Sequence, residues 1–200
     1  MPKEKYRHMI ICLKGSTQFR ERLQRDDVVL VDLQKKDGQD WASFSRLTKI
    51  LKQYKVDIVH TRNLATIEYQ LSALVAGVKC RVHSEHGWDV VDPDGDVKKY
   101  QLIRRFLSPI IQVFIPLSKH LQSYLVDKVK IPEQKIQRIC NGVDIKKFYP
   151  SKKRQVIEDC FLAREENNIY IGTVGRMHGV KDQLTLVRAY IFLLEAHPEL

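Results

Sequence analysis

Residues near the carboxyl end of the chain have the types and spacing of a phosphate site. The run Gly-Thr-Val-Gly at 172–175 is followed by Arg176 and then by Lys181. Gly175 would let a ligand approach the backbone, a helix beginning near Lys181 would offer free N–H groups, and the two cations would add charge. Such a site could stabilise a diphosphate leaving group. The same spacing also fits a tight strand-to-helix turn with two solvated cations.

A second group of polar residues follows two predicted strands. His60-Thr61-Arg62-Asn63 ends one strand, and Ser84-Glu85-His86-Gly87 ends another. Parallel strands present their carboxyl ends at one edge of a sheet, so His60, Asn63, Glu85 and His86 are expected to face one crevice. A neutral imidazole at His86 could bind a sugar hydroxyl or a phosphate, or could bind a loop carbonyl as a structural group. Glu85 is a candidate carboxylate or a salt-bridge partner.

Short apolar runs alternate with helical periodicity, which predicts an α/β fold with a parallel sheet. We expect a Rossmann-like domain over residues 1–150, a linker over 151–168, and the opening strand and helix of a second such domain over 169–200. The predicted strands are 8–13, 28–33, 56–59, 81–84, 113–117, 136–140 and 169–175, and the predicted helices are 41–54, 64–76, 97–107, one after Ser118, and one through 184–194.

Composition restricts the function classes. The chain of 200 residues has a formal net charge of +10 and four scattered cysteines in no metal-ligand spacing. The cysteines indicate reduced thiols and a cytoplasmic protein, and no run is apolar enough for a signal peptide or a membrane span. The aromatic residues lie mostly at core spacings, which argues against nucleic acid as a partner.

A basic segment begins at Lys98 and offers a second explanation of the charge. Lys98, Lys99, Arg104 and Arg105 are set among apolar residues. Their cations could contact an anionic membrane surface while the apolar side lies in the core. An ordinary structural helix with solvated cations is the alternative.

Four short stretches together resemble the family 4 retaining glycosyltransferases, which have the two-domain GT-B architecture. The stretches are 56–63 (VDIVHTRN), 84–87 (SEHG), 139–144 (ICNGVD) and 172–181 (GTVGRMHGVK). Their order and separation cover most of the chain. The run from His60 to Gly95 is most similar to sugar transferases of bacterial exopolysaccharide loci associated with exosortase systems.

The resemblance implies a role for each matching residue. His86 matches the active-site histidine beside the donor sugar, and Arg176 and Lys181 match the pair that binds the donor diphosphate. Asn141 to Asp144 matches the interdomain loop near the cleft, and His60 to Asn63 matches a strand end facing the acceptor. The implied reaction transfers a sugar from a nucleoside-diphosphate sugar to a saccharide or lipid-linked acceptor, with no cofactor and no required metal.

The resemblance also implies departures from the family pattern. The family's N-terminal glycine-rich loop would precede Met1, and its acidic nucleotide-binding motif would follow Leu200. Asp182 stands where the family usually has glycine. We therefore expect this chain alone to be inactive, and a noncatalytic remnant or binding module of the same fold is the alternative function.

Overall fold

The chain folds into two compact units. A computed structural model describes residues 2–88, 91–150, 171–177 and 179–198. The first unit is Met1–Gly142 and the second is Val143–Leu200. The boundary that we predicted at residue 150 thus lies eight residues beyond this division, and the predicted linker at 151–168 lies outside the described residues.

The first unit is built on parallel strands. Its two sheets have the strand orders β1-β2 and β3-β4-β5, and every pairing is parallel. The strands are β1 His8–Cys12, β2 Val28–Asp32, β3 Ile58–Arg62, β4 Cys80–Glu85 and β5 Val113–Pro116. This arrangement confirms the predicted α/β fold. In the register of β3 and β4, Arg62 lies opposite Ser84, so the polar runs that end both strands come to the same edge.

The helices connect these strands, and two of them begin at side-chain caps. Asp40 accepts a hydrogen bond from the Ser43 backbone at the start of α1, and Ser118 accepts one from Leu121 at the start of α5. These side chains satisfy N–H groups that a helix leaves unpaired. The helices of the first unit are α1 Trp41–Gln53, α2 Leu64–Ile67, α3 Gln70–Val75, α4 Lys98–Leu107 and α5 Lys119–Ser123, and the second unit has α6 Gln183–Ala196.

The core of the first unit consists of two apolar clusters. One surrounds Phe114 of β5 and Leu125, and the other packs α1 and α3 together through Leu47, Tyr69 and Ala73. The second cluster also includes Ile11 of β1 and Val59 of β3 at its margin, so residues from both sheets share one apolar core. The burial of these side chains supplies the main driving force for folding.

The predicted helix over 64–76 is two short helices joined by a tighter turn. At the junction the Tyr69 and Leu71 backbones donate to residues three positions earlier, Thr66 and Glu68. Tyr69 is held to α1, because its ring stacks on Phe44 and its hydroxyl lies 2.6 Å from the hydroxyl of Ser43. These contacts fix the junction where an uninterrupted helix was expected.

The predicted strand over 136–140 is reduced to one bridge between Phe114 and Ile136. Gln137 and Ile139 donate backbone hydrogen bonds to the carbonyls of Phe114 and Pro116. Pro116 has no N–H to donate in return, so the ladder cannot extend along this edge. The described part of the strand predicted over 169–175, residues 171–175, is likewise not a strand.

A buried polar chain crosses the first unit beneath β4. Gln70 of α3 donates to the Thr61 hydroxyl at 2.7 Å, and that hydroxyl lies 2.8 Å from Nδ1 of His83. His83 Nε2 lies 3.2 Å from Oε1 of Glu85, which accepts a 2.6 Å hydrogen bond from Nε of Arg104 on α4. The carboxylate only accepts, so His83 carries a hydrogen on Nε2. This chain ties α3, β3, β4 and α4 together.

Glu85 takes the salt-bridge role, one of the two predicted for it, and Arg104 corrects the expectation that its side chain faces outward. Their side chains are only 1% and 4% exposed and form an ion pair. Glu85 therefore does not line the crevice, and Arg104 is not one of the cations that face outward from α4. Burial opposes the charged form of Glu85, but hydrogen bonds from His83 and Arg104 outweigh it and lower the pKa of the carboxyl group.

The Glu85–Arg104 pair predicts a large difference between two adjacent arginines. Arg104→Ala leaves a buried carboxylate unpaired and should lower the free energy of unfolding by about 3–5 kcal/mol. Arg105→Ala, at the exposed next position, should change it by less than about 0.5 kcal/mol. Urea unfolding followed by circular dichroism measures both values, and equal values for the two variants would contradict the role of the pair.

The same pair predicts an acid dependence of stability. The native pKa of Glu85 lies below its ordinary value of 4.5, so the stabilisation is present above that pH and is lost as the pH falls through the native pKa. Urea unfolding at several pH values should show that, as the pH falls, the free energy of unfolding decreases less in Glu85→Gln than in the wild type. The variant has no carboxyl group to protonate at this position. An unchanged acid dependence in Glu85→Gln would assign the effect to other carboxylates.

Candidate active site

The carboxyl ends of β3 and β4 bring two imidazoles to one serine. Nε2 of His60 lies 2.8 Å from the Ser84 hydroxyl oxygen, and Nε2 of His86 lies 2.9 Å from the same atom. Side chains alternate between the two faces of a strand, so Ser84 and His86 share a face that His83 and Glu85 do not. The face with Ser84 forms the candidate site, and the other face holds the buried polar chain.

Asn63 holds the backbone at this edge. Its backbone N–H donates to the carbonyl of Ser84 at 2.8 Å, and its side-chain oxygen accepts from the backbone N–H of His86 at 2.8 Å. Asn63 has a φ of 60° and a ψ of 170°, a backbone region that is populated almost entirely by glycine, so its conformation is strained. One asparagine thus connects the end of β3 to the first residue beyond β4.

The loop after His86 is anchored by aromatic contacts. Trp88 packs edge-on against His120 and Tyr124, with ring centroids 5.2 Å and 4.9 Å apart. Gly95 has a φ of 69°, and a Cβ at this position would overlap the Trp88 ring. Only glycine combines this conformation with this approach. The packing fixes the exit from β4, and with it the position of His86.

Both histidines favour the neutral form. Desolvation lowers the pKa of His86, and the positive charges of Arg62 and of a protonated His60 lower it further, while Glu85 opposes them. Partial desolvation also lowers the pKa of His60, with His83 and Arg62 contributing. Nδ1 of His86 is shielded from solvent and has no hydrogen-bond partner among the described residues. A neutral imidazole with one unpartnered ring nitrogen can form a hydrogen bond with a hydroxyl or an anionic oxygen.

Two further predicted site residues, Asn141 and Asp144, lie on either side of the division between the units. Asn141 is exposed in the irregular segment after the bridge at Ile136. Asp144 belongs to the second unit, where its carboxylate accepts from the backbone N–H of Lys146 at 2.9 Å and Lys147 at 3.3 Å. That pattern is a local turn, and it leaves the predicted cleft role of both residues untested.

The predicted diphosphate site lies within the second unit. Gly175 and Lys181 are neighbours, since a Cβ on Gly175 would lie 3.7 Å from Cγ of Lys181. Arg176 is exposed, and its carbonyl accepts a 2.7 Å hydrogen bond from the Gln183 side chain at the start of α6. Lys181 ends a 3-10 turn, Gly179–Lys181, so it precedes the first turn of α6 instead of lying within it.

Asp182 immediately precedes α6 and has a left-handed conformation, with a φ of 44°. Glycine reaches this region without steric cost, whereas aspartate reaches it with some strain. Its carboxylate accepts from the Thr185 hydroxyl at 2.7 Å. A glycine at this position would avoid both the strain and a negative charge beside Arg176 and Lys181.

The signature described as Glycosyltransferase Family 4 matches residues 1–147. The chain belongs to glycosyltransferase family 4. The match covers the whole first unit, including the strand ends that carry His60, Ser84 and His86.

A curated relative is named as a galactosyltransferase. The chain is 29% identical over 160 residues to an Escherichia coli protein named UDP-Gal:alpha-D-GlcNAc-diphosphoundecaprenol alpha-1,3-galactosyltransferase. That alignment covers 78% of the chain and 41% of the relative's length. The chain therefore spans less than half of the relative that it matches.

Sequence reasoning missed one residue of the site and misplaced another. Ser84 belongs to the matching stretch 84–87 but was given no role of its own, although its hydroxyl contacts both histidines. The alternation of strand residues was the available signal, because it places Ser84 and His86 on one face and Glu85 on the other. In the part of the chain that the structure describes, no three His, Cys, Asp or Glu side chains are grouped to hold a metal.

The environment of His86 predicts a shifted titration. Its midpoint in proton NMR should lie below the ordinary value of 6.5, because desolvation and Arg62 disfavour the imidazolium. Arg62→Ala should move the midpoint upward, whereas Arg105→Ala, on the exposed side of α4, should not. A midpoint that is unchanged by Arg62→Ala would show that this arginine does not act on His86.

Proposed function

We propose that this family 4 chain provides the acceptor side of a glycosyltransferase, together with part of its donor-phosphate site. The reaction transfers a sugar from a nucleoside-diphosphate sugar to a hydroxyl of a lipid-linked or growing saccharide. The observation that carries the proposal is the buried Nδ1 of His86, which has no hydrogen-bond partner among the described residues and lies at the carboxyl edge of β4, the edge where open α/β sheets bind ligands. The curated relative's name supports a UDP-sugar donor and a diphosphate-lipid acceptor.

In this proposal His86 binds an oxygen of the donor sugar, while Arg176 and Lys181 bind the diphosphate. Two cations near the leaving group would stabilise the charge that develops as the glycosidic bond to the diphosphate breaks. The proposed chemistry needs no organic cofactor, and the cations take the part that a metal ion plays in other transferases.

The diphosphate role predicts a selective loss of rate. In the enzyme that carries this chain, Arg176→Ala should lower kcat roughly 100- to 1,000-fold. This loss corresponds to about 2–4 kcal/mol of transition-state stabilisation. Arg188→Ala is the matched control, because Arg188 is an exposed arginine within α6. A radiometric transfer assay with UDP-galactose and a lipid-diphosphate acceptor measures both. Equal rates for Arg176→Ala and the wild type would remove this arginine from the mechanism.

We further propose that the exposed face of α4 contacts the cytoplasmic side of a membrane. Lys98, Leu102, Arg105 and Phe106 recur at helical spacing, and the side chains of Leu102 and Phe106 are 47% and 77% exposed. Lys99 lies beside them and is also exposed. Basic and apolar side chains on one helix face match the headgroups and the interface of an anionic bilayer. No described helix is long and apolar enough to cross a membrane.

This membrane face predicts salt-sensitive vesicle binding. Each cation near an anionic surface contributes about 1 kcal/mol, so Lys98→Ala with Arg105→Ala should weaken binding roughly 30-fold. Lys49→Ala with Lys52→Ala removes the same charge from α1 and is the control. Co-sedimentation with phosphatidylcholine vesicles, with and without phosphatidylglycerol, measures the effect. Equal binding to both kinds of vesicle, or equal losses in the two double variants, would contradict the assignment.

A further inference from the structure

The serine between the two histidines has a single proton to share. The Ser84 side chain is almost fully buried, and its oxygen lies within hydrogen-bond distance of both Nε2 atoms. No third partner of this hydroxyl is present among the described residues. The hydroxyl can donate to only one imidazole, so the other contact is a hydrogen bond only if that imidazole donates from Nε2.

The two neutral rings therefore hold opposite tautomers. If His60 carries its hydrogen on Nε2, it donates to Ser84, and the serine hydroxyl donates to Nε2 of His86. The hydrogen of His86 then lies on Nδ1, on the other side of the ring. If the two hydrogen bonds run in the opposite direction, His86 donates from Nε2 to Ser84, and Nδ1 of His86 carries a lone pair and no hydrogen. The tautomer of His60, on the neighbouring strand, thus determines whether Nδ1 of His86 is a hydrogen-bond donor or an acceptor.

The chemistry of a sugar nucleotide distinguishes between these two directions. Phosphate oxygens and the ring oxygen of a sugar only accept hydrogen bonds, and a hydroxyl can also accept. An N–H at Nδ1 of His86 therefore fits every one of these oxygens, whereas a bare lone pair would repel most of them. Asn63 fixes the backbone of His86, so the direction of Nδ1 is set before a ligand arrives.

We propose that His60 and Ser84 are positioning residues that hold His86 in the Nδ1–H tautomer. Hydrogen bonds run from His60 Nε2–H to the Ser84 oxygen and from the Ser84 hydroxyl to Nε2 of His86. The neutral imidazole of His86 then donates from Nδ1 to a sugar or phosphate oxygen of the donor. The identity of that ligand rests on the proposed function, whereas the tautomer is a property of the protein alone.

The tautomers are measured directly in the chain of residues 1–200 labelled with nitrogen-15 histidine. Long-range proton–nitrogen correlation spectra at pH 7.5 distinguish a protonated ring nitrogen from a bare one. We expect His86 to be protonated on Nδ1 and His60 on Nε2. Ser84→Ala and His60→Leu should each abolish the excess of the Nδ1–H form at His86. His60→Gln, whose side-chain amide retains an N–H donor toward Ser84, should preserve it.

Two results would overturn the proposal. One is an Nε2–H tautomer at His86 in the wild type, and the other is a His86 tautomer that does not change in Ser84→Ala and His60→Leu. Wild-type melting temperatures in these two variants would show that the tautomer changes in a folded protein. If either variant unfolds, the His60→Gln comparison and the wild-type spectrum still decide. The assay of Arg176→Ala tests glycosyl transfer separately. Failure of the proposed His60–Ser84–His86 hydrogen-bond arrangement is therefore distinguishable from failure of the proposed function.

Discussion

The buried ion pair between Glu85 and Arg104 is the interaction on which the first unit depends. Two charges removed from water are tolerated only when each is paired and hydrogen-bonded. Here the carboxylate binds the guanidinium at 2.6 Å and also contacts His83, whose other ring nitrogen meets Thr61. The pair therefore fixes α4 against the last residue of β4, the position from which the chain turns into the candidate site.

Because side chains alternate along strand β4, residues on one of its faces support the fold and residues on the other form the candidate site. One face carries His83 and Glu85, which join the buried polar chain. The other face carries Ser84 and leads to His86, where two imidazoles meet one hydroxyl. A site that must hold atoms to within about 0.5 Å needs such a rigid support behind it. The buried charges supply rigidity on one side, and the polar edge stays available for a ligand on the other.

Helix α4 likewise has two faces with different roles, one buried in the first unit and one exposed. Arg104 and Gln101 point into the unit, and Gln101 donates to the carbonyl of Gly95 at 2.7 Å. Leu102, Arg105 and Phe106 lie on the exposed face. The helix that holds the end of β4 in place thus also presents the surface proposed to contact lipid, so membrane contact and the candidate site share one structural element.

The sequence by itself determined the parallel α/β architecture, most strand positions, the cap at Ser118 and membership of a family. These follow from local periodicity, capping chemistry and short motifs, which the chain carries residue by residue. It also brought His60, Asn63 and His86 to one edge, because the carboxyl ends of parallel strands coincide.

Only the tertiary structure decided which polar residues are support and which are site. The sequence leaves open whether Glu85 is a site carboxylate or a salt-bridge partner and does not identify Arg104 as that partner. The packing of α4 on β4 buries the two as a pair. Ser84 looks like an ordinary strand residue until β3 places His60 beside it. The pairing at Ile136 does not extend beyond one bridge, because Pro116 on the neighbouring strand has no N–H to donate. Each outcome depends on a partner distant in sequence, which local patterns do not specify.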